Sequence, residues 1–399
     1  MSTQTAQIHK TIAPAVTAEA RPHTAHLLYI DNLRTTLITF VITLHLAITY
    51  GADGLWYYKE PGESSDAVFA IMMFVAAIGS AFVLGLFFML AGYFTPRSYD
   101  RKGFAPFLAV RMKRLLIPLA FYQLIINPLV NYLADLHKQP QPPILEYLVI
   151  YFRNFDSIGD GPVWFLVTLV FFSLAYALWR RMTPTTSGNP LPGSVPSNWT
   201  IALLALALGL LTFITRLWFP VGAFYEPWHQ EMAHYPQYIA LFVLGTLAYR
   251  QDWLNRFSNA QVRVWKWVAL ACVLVLPAIV IAAGVLTGQL DERGAGGWNW
   301  ISFSYSMWEG FTCLAFSIIT LAWYRQRFDR QGWVAAKMAD ATFTAYVLHP
   351  AIIVPLALLL SPISLNLNLK FILVAPLAVA LTYFVSYHFR RLPLIRNVF

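Results

Sequence analysis

Two ionisable side chains inside one apolar run define the chemistry this chain could carry. Within Tyr29 to Tyr50, Arg34 and His45 stand eleven residues apart in an otherwise largely apolar stretch. Eleven residues make close to three helical turns, so a helix puts both on nearly the same face. The rise between them is ~16 Å, about half of a ~30 Å hydrocarbon core. A guanidinium at one membrane surface can grip an anion, and an imidazole deeper in can act as a general base. Asp31, Ile38 and Val41 continue the stripe. Its other reading is a snorkelling arginine with a neutral, hydrogen-bonded core histidine, and the stripe alone leaves both open.

A second cluster of chemistry-bearing residues follows the next apolar run. Arg97, Arg101, Lys102, Arg111, Lys113 and Arg114 all fall between Phe94 and Pro118. Arg111 and Arg114, three apart, share a helix face suited to gripping phosphate by paired charge-assisted hydrogen bonds, whereas Lys113 sits off that face. Lipid-phosphate anchoring also uses such clusters, but six cations between two spans is dense for an anchor. Further along, Glu309 and His349 each lie inside an apolar run, costly in lipid unless they face the interior of a bundle. Either could polarise a substrate hydroxyl or serve as a structural hydrogen-bond partner. Asp156 to Leu166 joins Asp160 to Trp164, an acidic and aromatic grouping of the kind that holds sugars and also of the kind found in interfacial belts.

The elements that must position these groups follow from composition. Hydrophobic residues make up 58% of the 399 and charged residues 12%, with a mean hydropathy of +0.55. A soluble domain carries about a quarter charged residues, so this is a polytopic membrane protein, an all-α bundle. Apolar windows broken by Gly, Pro or charge give about ten spans, near 33–50, 68–95, 115–134, 162–179, 199–219, 235–249, 266–287, 303–324, 342–360 and 369–389, of which 235–249 is shortest. The net charge of +9 suggests nucleic acid until its distribution is read. With a cytoplasmic N-terminus, 22 of the 28 Lys and Arg fall in inside segments and 6 outside. That asymmetry is the positive-inside pattern, and it predicts an even number of spans with both termini cytoplasmic.

The remaining signals bound the reading. Cys272 and Cys313 both fall in apolar runs and give no disulfide framework. No phosphate loop, zinc spacing or nucleic-acid motif stands out, and no metal is expected. Residues 1–28 read as a flexible cytoplasmic tail without a signal-peptide layout, 29–391 as one membrane domain, and 392–399 as a short cytoplasmic tail with no fused soluble domain. Thr183 to Asn198, rich in Pro, Ser and Gly, reads as a cytoplasmic linker. No inverted repeat of the transporter type is evident.

Together these segments resemble the transmembrane acyltransferase family 3. The resemblance rests on Asp31-Asn-Leu-Arg34 followed by His45, Phe87-Phe-Met-Leu-Ala-Gly92-Tyr93-Phe94, Arg111-Met-Lys-Arg114-Leu-Leu-Ile-Pro118, Val163-Trp-Phe-Leu166 and Tyr346-Val-Leu-His349, in register from Tyr29 to about Arg391. Within the family the chain is most similar to the glucan biosynthesis protein C group, membrane succinyltransferases of periplasmic glucans. Two positions depart from the family pattern: Gly161-Pro162 stands where a histidine or bulky residue is common, and Ala91 where serine is common.

The resemblance implies a multi-pass protein of the bacterial inner membrane that takes an acetyl or succinyl group from cytoplasmic acyl-CoA to an extracytoplasmic acceptor hydroxyl, usually of a carbohydrate. Arg34 with His45, and Arg111 with Arg114, match the family's arginine and histidine motifs. The expected assignments are His45 and His349 as catalytic groups, Arg34, Arg101, Arg111 and Arg114 as donor contacts, and Asp160, Trp164 and Glu309 as acceptor contacts. The rival function is a secondary transporter or flippase, in which His45, Glu309 and His349 would form one proton or substrate path.

Overall fold

In lipid every backbone N–H and C=O must be satisfied within its own segment, which drives long apolar runs into helices. A computed structural model of the chain describes residues 27–62, 64–136, 141–154, 159, 161–183, 193–225, 230–287, 294–393 and 395. Its main helices are α1 (Leu28–Thr49), α2 (Asp66–Lys102), α3 (Phe104–Asp135), α4 (Ile144–Arg153), α5 (Trp164–Met182), α6 (Asn198–Thr215), α7 (Tyr235–Arg250), α8 (Asn259–Thr287), α9 (Trp300–Arg327), α10 (Trp333–Leu360) and α11 (Leu367–Phe389). Among the described residues no helix-free apolar run of spanning length remains, and the fold is an all-α polytopic bundle.

All ten predicted windows fall on helices. Eight of these helices are long and apolar enough to cross a membrane by length and composition. The other two have evident reasons for falling short: α7 has only 16 residues, and α9, with 28, carries Glu309 and several Ser and Thr that lower its hydropathy. The amphipathic α4 lies outside the ten predicted windows. It turns Ile144, Leu145, Val149, Ile150 and Phe152 outward, as a helix lying against lipid would.

The inner basic segment is helical on both sides of a single turn. At 37 residues, α2 runs on past Pro96 to Lys102, and Gly103, at φ 75°, turns the chain into α3. Arg97, Arg101 and Lys102 therefore belong to the end of α2, and Arg111 and Arg114 to α3. Beside this turn Asp100 accepts from Arg180 of α5 at 3.3 Å and pairs with Arg250 of α7 at 2.6 Å, which ties three helices together at one end of the bundle. Two cations of the cluster's neighbourhood are thus structural.

The closest crossing is α2 on α7. A Cβ added at Gly92 would collide with the Phe242 carbonyl, and one added at Gly245 with the Met89 carbonyl, so backbone meets backbone in both directions. Side chains cannot relieve such a clash. Gly92→Ala is expected to destabilise the protein by about 1–3 kcal/mol, the usual cost of overpacking, read as a lowered unfolding midpoint in detergent. An unchanged midpoint would refute this packing.

Helix α1 lies among α2, α9, α10 and α11. Thr35 bonds Thr342 of α10 at 2.9 Å, and Thr39 bonds Tyr383 of α11 at 3.2 Å. The largest buried cluster runs from Ile38, Ile42 and Leu46 of α1 to Leu119 and Tyr122 of α3, Leu166 and Leu169 of α5, and Val347 and Ile353 of α10. These contacts fix the rotation of α1 and so decide what its polar stripe faces.

Candidate active site

The stripe on α1 faces a cavity of about 700 Å³ bounded by α1, α2, α3, α5 and α10. Along α1 its lining runs from Asp31 and Arg34 through Ile38, Val41 and Leu44 to His45, so the helical spacing brings both motif residues to one space. That volume lies within the roughly 300–1,000 Å³ usual for small-molecule sites. Helix α1 ends at Thr49, four residues past His45, which puts the imidazole nearer the far end of the helix than its middle.

At the end where α1 begins, Arg111 and Arg114 of α3 join Arg34 in the lining. Arg111 is held by two neutral hydroxyls, donating from Nε to Ser173 at 3.2 Å and from Nη2 to Thr95 at 3.1 Å. Arg34 lies 3.6 Å from Asp31 and stacks over Phe94 at 4.7 Å. Three guanidinium groups thus share a single lining carboxylate, and among the described residues neither Arg111 nor Arg114 has an acidic partner. A cation held by neutral acceptors, as Arg111 is, keeps its charge for an anion from elsewhere, and phosphate suits the planar guanidinium well.

At the other end His45 is one member of a stack. Its Nδ1 is 3.1 Å from Nε2 of His349, and the two rings lie 5.0 Å apart and nearly parallel. The Nδ1 of His349 is in turn 2.7 Å from the Tyr346 carbonyl. Pro350 explains that last bond. A proline has no N–H to give to the carbonyl four residues back, so Pro350 does not compete with His349 for the carbonyl of Tyr346.

The chain of bonds determines the tautomers of the neutral pair. A carbonyl can only accept, so His349 carries its proton on Nδ1 and offers the lone pair of Nε2. His45 must then carry its proton on Nδ1, which leaves its Nε2 as a lone pair. That nitrogen can accept a proton. His349, fully buried and absent from the cavity lining, stands behind His45 as the group that orients it.

Trp56, which no periodicity singled out, stacks on His45 with ring centres 4.1 Å apart and planes within 10°, and its ring centre is 5.8 Å from that of His349. It sits in the turn after α1, where Gly51 and Gly54 adopt φ of 124° and 146°. Nothing in a loop's sequence announces which ring it will return to the bundle. Gly161, at φ 46°, is equally specific: a Cβ there would strike the hydroxyls of Tyr57 and Tyr122, which accounts for glycine at a position where bulk is common.

The other expected site residues divide clearly. Trp164 lines the cavity beside Pro162. Arg101 is exposed at the end of α2 and is no part of the lining. Asp160 lies outside the described residues. Glu309 is no part of the lining; it accepts from Arg216 at 2.5 Å and meets Nδ1 of His234 at 2.7 Å, all three buried. Of the three groups a transport path would use, His45 lines the cavity and Glu309 and His349 do not. Among the described residues no group of His, Cys, Asp or Glu is placed to hold a metal ion.

Comparison with known proteins adds the family. The acyltransferase 3 family model, described as an acyltransferase domain, matches residues 27–391. The chain belongs to this family. No curated protein and no solved structure gives a match. The match covers every helix described above, and the protein is a multi-pass membrane acyltransferase.

The acyltransferase offers a direct check on the His349 geometry. Pro350→Ala supplies an N–H that competes for the Tyr346 carbonyl and mends the helix. It is therefore expected to hold or raise the unfolding midpoint while lowering turnover about tenfold, because the histidine pair loses its fixed tautomer. Parallel losses of stability and turnover would count against this role.

Proposed function

We propose that the chain is an O-acyltransferase that moves an acetyl or succinyl group from cytoplasmic acyl-CoA to a hydroxyl of an extracytoplasmic carbohydrate, a glucan above all, in a bacterial inner membrane. The observation that carries the reading is the polarity of one cavity, with three arginines at the end where α1 begins and the lone pair of His45 at the other. By the positive-inside pattern the arginine end is cytoplasmic. The nucleotide phosphates dock on Arg34, Arg111 and Arg114, and the pantetheine arm extends ~16 Å along α1 to bring the thioester to His45.

The reaction then needs one base used twice. Nε2 of His45 takes the proton of the acceptor hydroxyl as its oxygen attacks the thioester carbonyl. The C–S bond breaks, the new ester C–O bond remains, and the proton passes from His45 to the leaving thiolate to give free CoA. Such general acid–base work contributes ~10²–10⁴ in rate. A direct transfer needs no covalent enzyme intermediate.

The test is thiol release by purified protein in liposomes, with acetyl-CoA and succinyl-CoA supplied separately and a glucan present or absent. Arg111→Ala and Arg114→Ala should each raise the donor KM about 10- to 100-fold, the worth of a charge-assisted hydrogen bond, with smaller effects on kcat. If neither donor releases thiol under any condition, acyl transfer is the wrong reading and substrate transport through the bundle is measured next.

A further inference from the structure

A second pocket of about 740 Å³ opens beyond the end of α1, lined by Trp56, Tyr57, Tyr58, Lys59, Glu60, Pro61, Ala134 and Ser361. It shares no lining residue with the main cavity, yet one ring joins them: Trp56 lines this pocket and stacks on His45, which lines the other. We propose that the second pocket is the acceptor subsite and takes a neutral, polyhydroxylated sugar ring, whose reacting hydroxyl reaches His45 beside Trp56. This rests on the acyl-transfer reading above.

The wall chemistry is what distinguishes a sugar from other occupants. Trp56, Tyr57 and Tyr58 offer amphipathic aromatic faces of the sort that pack on the C–H face of a pyranose. Glu60 supplies an acceptor: its side chain is 8% exposed, one oxygen is taken by Lys370, and Oε2 is buried without a partner among the described residues. The indole N–H of Trp56 is likewise buried and unpaired among the described residues, a donor to match that acceptor. Buried polar atoms of this kind are costly unless something bonds them, and sugar hydroxyls both donate and accept.

The walls are also held rigid. The Tyr57 hydroxyl meets that of Tyr122 at 2.6 Å and donates to Asn127 at 2.5 Å, and Asn127 donates to Tyr151 at 2.8 Å. Tyr122 and Asn127 reach one hydroxyl because α3 makes a π turn over Tyr122–Ile126, bringing residues five apart to one side. Charge is balanced here, with Lys59 paired to Asp53 at 3.4 Å and Lys370 to Glu60, in contrast to the cationic end of the main cavity. A polyphosphate therefore prefers the arginine end, and a neutral sugar this one.

The experiment uses the full chain with Ser361→Cys, a lining position whose hydroxyl bonds the Leu358 carbonyl and the side chain of Tyr58. Cys272 and Cys313 are buried and serve as silent background. A membrane-impermeant maleimide should label the new thiol from the extracytoplasmic face, and millimolar glucose oligosaccharides should slow that labelling severalfold. The finished adduct should raise the acceptor KM about tenfold or more with the donor KM within about twofold. Labelling indifferent to saccharide, labelling only from the cytoplasmic face, or an unchanged acceptor KM would each overturn the subsite. Absence of thiol release in the unlabelled parent would strike the acyl-transfer reading instead, while saccharide protection still decides the pocket.

Discussion

Replacing His45 with alanine is expected to lower acyl transfer by ~10²–10⁴ while leaving the protein folded and its donor KM little changed. The expectation follows from where the side chain sits. His45 lines the cavity, stacks on Trp56 and bonds His349, so its loss removes a base without leaving a buried charge unpaired. His349→Ala should cost less, about tenfold to a hundredfold, because it acts only through the tautomer of its neighbour. A glutamine at 349 can still accept from Nδ1 of His45 and should recover part of the loss. Thiol release under saturating donor gives the measure, with circular dichroism and the unfolding midpoint as controls. Equal turnover for His45→Ala and the parent would remove the general base from the mechanism.

The second large effect concerns stability. Arg216→Ala is expected to destabilise the protein by about 3–5 kcal/mol, the usual result of stripping one partner from a buried ion pair. Arg216 is fully buried and bonds Glu309 at 2.5 Å and Ser306 at 3.3 Å, with His234 at 3.2 Å. Without it the carboxylate of Glu309 remains in a low-dielectric interior facing only a histidine. Arg216→Leu with Glu309→Leu removes both charges and should recover most of the midpoint, since a matched apolar pair has nothing to desolvate. The double variant also separates two roles of Glu309. If it is stable yet loses turnover with acceptor, Glu309 contacts substrate after all; if turnover persists, the triad only joins α6, α9 and the segment before α7.

These two expectations differ in what each residue was legible as. His45 could be read from its place in α1 because a helix converts an eleven-residue interval into a shared face by its own geometry. The same local rule carried Arg34 to the cavity beside it, and Arg111 with Arg114 to one lining. Glu309 followed no such rule. A buried carboxylate announces that it needs a partner, and the chain offers several cations; only folding brought Arg216, 93 residues away, and His234 to it. The expectation that it would meet an acceptor alongside His349 had no local spacing behind it.

Local periodicity and composition therefore determined the helical class, the positions of ten helices and the shared face of Arg34 and His45, because each depends on residues a few turns apart. Tertiary structure decided the rest. It turned Arg101 to the surface, set His349 behind His45 through a carbonyl that Pro350 cannot bond, and returned Trp56 from a glycine-bent loop to stack on the imidazole. Those pairings join residues that neighbouring sequence does not constrain. They are selected by how whole helix faces pack and by the need of each buried polar atom for a partner.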